Sequence, residues 1–99
     1  MMKKELLQGK YLMYQGKPLV REKNAYCYGD MQDKAVLFLL VLTNKEVDGR
    51  ELPDRVLIQL LSTDPKLDNA HKLLKQGEKS GLYQALDTGL VWLKKELTA

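Results

Sequence analysis

Nine consecutive residues, Ala35–Thr43 (AVLFLLVLT), contain no charge, no glycine and no proline. Both period-2 registers are apolar: Val36, Phe38, Leu40 and Leu42 in one, Ala35, Leu37, Leu39 and Val41 in the other. A strand that reads this way is buried on both faces. At nine residues it is far too short to span a bilayer. It is therefore the expected centre of a sheet, and the rest of the chain is expected to cover it.

The flanking segments supply the neighbours. Lys10–Tyr14 reads as a short strand, Gln15-Gly16-Lys17 as a turn, and Pro18–Lys23 as a second strand. Pro18 donates no ladder hydrogen bond, which restricts it to a strand start or an edge. Asn24 is a turn candidate, Ala25–Gly29 a third strand, and Lys34–Thr43 the fourth. Asn44–Pro53 is polar and carries the turn signal Asp48-Gly49. Arg55–Thr63 is the fifth strand, with Val56, Ile58 and Leu60 on one clean apolar face. Such short connections join antiparallel neighbours.

Helix signals follow. Asp64 and Pro65 suit a helix start, and Leu67, Ala70, Leu73 and Leu74 form a stripe running to about Gln76, with Gly77 as a left-handed cap. Ser80 opens a second helix over 81–97, where Leu82, Leu86, Leu90, Leu93 and Leu97 recur at helical spacing. Gly89 lies on that same face. A mid-helix glycine costs about 1 kcal/mol against alanine, so its presence predicts a close approach of helix to sheet. Lys94 and Lys95 fall in the last turns, where the helix dipole favours cations.

The expected fold is α+β: an antiparallel meander of about five strands followed by two C-terminal helices packed on one face, all in a single domain over residues 1–99. Two helices on one side leave the other side of a doubly apolar strand bare. Leu37, Leu39 and Val41, with Leu57 and Leu61, are expected on that bare side, and a patch of this kind marks an interface. A homodimer through it, or through the helix flank bearing Val91 and Trp92, is the expected partner. A different protein partner would serve the same surface.

Charge distribution bears on function. Residues 1–29 carry +4, residues 30–64 carry −3 and residues 65–99 carry +2. Within the basic third, Tyr26 and Tyr28 share one strand face, Tyr11 or Tyr14 joins them across the sheet, and Arg21 and Lys23 lie on the adjacent strand. Rings that stack bases beside cations that track phosphate are the ingredients of single-stranded nucleic-acid binding. Arg21, Lys23, Tyr26 and Tyr28 are thus the candidate binding residues. The plainer explanation is that tyrosine forms strands well and makes cross-strand pairs.

Catalytic constellations are scarce. His71 is the single histidine, with Asp68 three residues before it, and one histidine makes a zinc site a poor expectation. Cys27, the single cysteine, lies mid-strand, where a thiol behaves as a small core residue rather than a nucleophile. Asp30, Asp33, Asp48, Glu51 and Asp54 read as turn residues. The spacings fit no phosphate-binding loop, dinucleotide fingerprint or nucleophile elbow. No catalytic residue, metal or cofactor is expected. The opening MMKKELLQGK lacks the apolar run of a signal peptide. The leading functional expectation is a non-enzymatic interaction module of a bacterial-type cytoplasmic assembly, acting as a homodimer with no membrane contact. The alternative is a nucleic-acid-binding module.

Overall fold

The computed structural model describes residues 11–98; Lys10, placed by the sequence at the start of the first strand, lies outside them. The strands are β1 (Tyr11–Tyr14), β2 (Lys17–Glu22), β3 (Ala25–Tyr28), β4 (Ala35–Val41), β5 (Asn44–Val47), β6 (Arg50–Pro53), β7 (Arg55–Ser62) and β8 (Leu73–Ser80). The helices are α1 (Asn69–Lys72) and α2 (Leu82–Thr98). Six strands form one antiparallel sheet in the order β1-β2-β3-β4-β7-β8, and β5 and β6 pair as a separate ribbon. The fold is α+β, as the pattern implies. No helix among the described residues is long and apolar enough to cross a membrane.

The hairpins follow from local chemistry. Gln15 and Gly16 both take positive φ, as do Asp48 and Gly49, which is what a two-residue type I′ turn requires. The β5–β6 ribbon, read from sequence only as a charged loop, continues β4 and β7 beyond an irregular junction. There Leu42 N–H donates to the Arg55 carbonyl at 2.8 Å and Asp54 N–H to the Thr43 carbonyl at 2.8 Å.

The first expected helix is the main correction. Only one helical turn forms, capped by Asp68, whose side chain accepts from His71 N–H at 2.9 Å. From Leu73 the backbone is extended and pairs along β7 as edge strand β8. The stripe Leu67, Ala70, Leu73 and Leu74 never becomes a buried face: none of the four is buried, and Leu73 and Leu74 are 37% and 41% exposed. The open edge of β7 offers a row of unpaired backbone groups, and satisfying them outweighs a weak helical preference. Gly77 caps nothing. It pairs with Ile58 beneath the Trp92 ring, where a Cβ would come within 2.9 Å of Cη2.

The second expected helix is present as α2, its first hydrogen bond running from Ala85 N–H to the Gly81 carbonyl at 3.1 Å. It packs on β4, β7 and β8. The core beneath it combines Tyr28, Ala35, Leu37, Leu39, Val41, Val56, Ile58 and Leu60 with Ala85, Leu86 and Leu93 of the helix. Gly89 marks a close approach of helix to sheet, since a Cβ there would lie 2.9 Å from Leu37 Cδ1 and 3.3 Å from Ile58 Cγ2.

This packing corrects the expected bare face. Leu37, Leu39 and Val41 lie under α2, with Leu37 and Leu39 at 0% and 1% exposure. The register pairs Leu40 with Leu57 and Val36 with Leu61, so Leu57 and Leu61 belong to the opposite face, with Phe38 and Leu40. A residue and its cross-strand partner share a face, and the sides alternate along each strand.

Candidate functional site

Three of the four candidate binding residues lie on strands whose register puts them on the helix-bearing side of the sheet. Arg21 pairs with Tyr26 across β2–β3, and Leu19 with Tyr28. The Arg21 guanidinium sits 5.6 Å from the Tyr26 ring centroid, a cation–π arrangement. Its Nε donates to the Lys23 carbonyl at 3.2 Å. Lys23 itself occupies the β2–β3 turn at φ 57° and is exposed. The structure thus gathers Arg21, Lys23 and Tyr26 at one corner.

Tyr28 is elsewhere in character. It is 2% exposed and belongs to the core. Its hydroxyl donates to the Tyr14 carbonyl at 2.6 Å, and its ring meets Tyr14 edge-on at 6.0 Å. Burial pushes its phenol pKa up, since ionisation inside the fold costs solvation. A ring enclosed in this way offers no free face to a base. The side chain of Tyr11 lies outside the described set.

His71 is exposed, and its Nδ1 lies 2.6 Å from Asp68 Oδ1. The Asp68 carboxyl is held below its ordinary value, first by the His71 backbone N–H and then by the His71 ring. Cys27 pairs with Val20 and Phe38, on the side of the sheet away from α2. Partial burial pushes its thiol pKa up, the opposite of what a nucleophile needs. No hydrogen bond joins Cys27 to His71.

The acidic residues are dispersed. Asp33 forms an ion pair with Lys17, Asp30 accepts from Gln32 N–H at 2.9 Å, and both precede β4, whereas Asp48, Glu51 and Asp54 follow it. Among the described residues no three His, Cys, Asp or Glu side chains are grouped as a metal site.

Two surfaces stand out instead. One is the sheet face opposite α2. A central row runs Val20, Cys27, Phe38, Gln59 and Gln76, flanked by Ala25, Leu40 and Leu57 on one side and Val36, Leu61 and Leu73 on the other. Val20 is 41% exposed and Leu73 37%, while Phe38, Leu40, Leu57 and Leu61 are half-buried. The doubly apolar β4 pattern signals this face, although the residues assigned to it from sequence were in part those of the other side.

The second surface is a groove of about 650 Å³ beside the C-terminal half of α2. Leu90, Val91 and Leu97 line it from the helix, Tyr28 from the sheet, and Gln15 and Lys17 from the β1–β2 hairpin. Lys94 and Lys95 also border it. Sequence reasoning missed it, because its walls come from the two ends of the described chain. Trp92, grouped with Val91 on sequence grounds, is half-buried and faces β8, with Lys75 Nζ 4.9 Å from its ring centroid. Compared with known proteins, the chain matches no family model, no curated protein and no solved structure.

Proposed function

We propose that the protein is a non-enzymatic interaction module that acts as a homodimer through the open face of its sheet. The observation that carries this reading is the continuous apolar surface of Val20, Phe38, Leu40, Leu57 and Leu61 on the side away from α2. Its charged residues include Glu22 at the end of β2, Arg55 at the start of β7 and Glu78 beside Leu57, and Arg55 is already paired with Glu78. An apolar centre with a polar rim is interface anatomy. In a two-fold dimer the same patch meets itself, and an apolar centre does so without needing matched charges.

Size supports a second copy as the occupant. Six strands about 4.8 Å apart, averaging about 20 Å in length, give a face of roughly 500 Å², so two copies bury about 1,000 Å², the lower range of specific interfaces. The reading assigns the protein to the cytoplasm, where the lone thiol of Cys27 stays reduced.

The test is light scattering over a concentration series at low and high salt. A dimer that persists in high salt, and that Val20→Glu converts to a monomer with an unchanged circular dichroism spectrum, supports the reading. A strict monomer at micromolar concentration refutes it. Cys27 supplies an independent probe: its alkylation slows as concentration rises if the open face is buried between copies. A short single-stranded oligonucleotide retarded at low salt by the protein, but not by Arg21→Ala, would replace the dimer reading with the nucleic-acid one.

A further inference from the structure

We propose that the groove between α2 and the β1–β2 hairpin binds a long-chain carboxylate, with the alkyl chain along Leu90, Val91 and Leu97 and the carboxylate held by Lys94 and Lys95. The groove lies on the helix side of the sheet, so the proposal is independent of the dimer reading.

The apolar part of the argument comes from the walls. A volume of about 650 Å³ falls in the range of small-molecule sites. Val91, a β-branched apolar residue on a surface helix, is 53% exposed at this flank. On the sheet side the lining includes Tyr28, which is 2% exposed and whose hydroxyl is already committed to the Tyr14 carbonyl. That hydroxyl is therefore not offered to a ligand, which suits an alkyl chain better than a sugar or a nucleoside.

The charged part comes from the rim. Among the described residues the lining includes three lysines and no carboxylate. Lys17 is neutralised by Asp33. Neither Lys94 nor Lys95 has an ion-pair partner among the described residues. The helix dipole accounts for cations in a last turn, but not for an apolar wall set directly beside them. Two unpaired ammonium groups at the edge of an apolar groove match one anionic head on an apolar chain.

The test is a titration of the isotope-labelled full chain with sodium dodecanoate below its micellar concentration, followed by amide NMR. The expected result is saturable shifts at residues 15–17, 28 and 90–98, with the open-face residues 20, 27, 38 and 57 unmoved. Dodecanol and the dodecyltrimethylammonium ion should bind about tenfold more weakly, and Lys94→Glu with Lys95→Glu should weaken dodecanoate binding by about tenfold. Both lysines are exposed, so the double variant keeps its fold, which circular dichroism verifies. Absence of saturable shifts, shifts confined to the open sheet face, or equal binding of dodecanoate and dodecanol overturns the proposal.

Discussion

Replacing Gly89 by alanine sets two well-defined effects against each other. A mid-helix Gly→Ala change favours the helix by about 1 kcal/mol. Here the new Cβ would meet Leu37 Cδ1 at 2.9 Å, Leu37 Cδ2 at 3.1 Å and Ile58 Cγ2 at 3.3 Å. Leu37 and Ile58 are both at 0% exposure, so neither can swing into solvent. Overpacking of this kind costs about 1–3 kcal/mol. Taking about 2 kcal/mol for the clash, Gly89→Ala destabilises the protein by about 1 kcal/mol, a fall in Tm of about 4–8 °C for a chain of this size. Urea denaturation at one fixed protein concentration measures it, since self-association would otherwise alter apparent stability. Leu37→Val removes both δ-methyl groups. In that background Gly89→Ala should change sign and stabilise by up to about 1 kcal/mol, a coupling of about 2 kcal/mol. If Gly89→Ala stabilises the otherwise unaltered chain, or if the two changes add to within about 0.5 kcal/mol, close helix–sheet contact is not why the glycine is there.

Two further outcomes are expected. Tyr28→Phe leaves the ring packing in place but deprives the Tyr14 carbonyl of its donor, and should cost about 1 kcal/mol in urea denaturation. Asp68, whose carboxyl pKa is lowered by the fold, contributes its cap fully above the ordinary carboxylate pKa and loses it as pH falls through the lowered value. The His71 amide signal should therefore show a step below the ordinary carboxylate pKa, and Asp68→Asn should remove that step. An unchanged His71 amide throughout acidification would contradict this.

Much of the architecture is written locally. Gln15-Gly16 and Asp48-Gly49 allow the backbone that tight hairpins need, and the alternation in Arg55–Ser62 separates a clean apolar face from a mixed one. The leucines of α2 recur at helical spacing with Gly89 among them, which announces both the helix and its tight seat. Candidate sites were less legible. Arg21, Lys23 and Tyr26 do come together, because adjacent strands in a hairpin have a determined register. Tyr28 looks equivalent to Tyr26 two residues earlier, yet it is consumed by the core, where it pairs with the buried Leu37 and meets the Tyr14 ring and carbonyl.

The sequence by itself determined the central strand, its antiparallel neighbours and the C-terminal helix, because each rests on turn chemistry and periodicity within a few residues. Tertiary structure alone decided three things. Residues 73–80 became a strand rather than a helix, because the open edge of β7 and the Trp92 ring, both distant in sequence, outweigh a short leucine stripe. Leu37 rather than Phe38 went beneath α2, because both registers of β4 are apolar and only the helix selects between them. The groove beside Lys94 and Lys95 arose last, since its walls meet only when the first hairpin and the last helix close on the same sheet face.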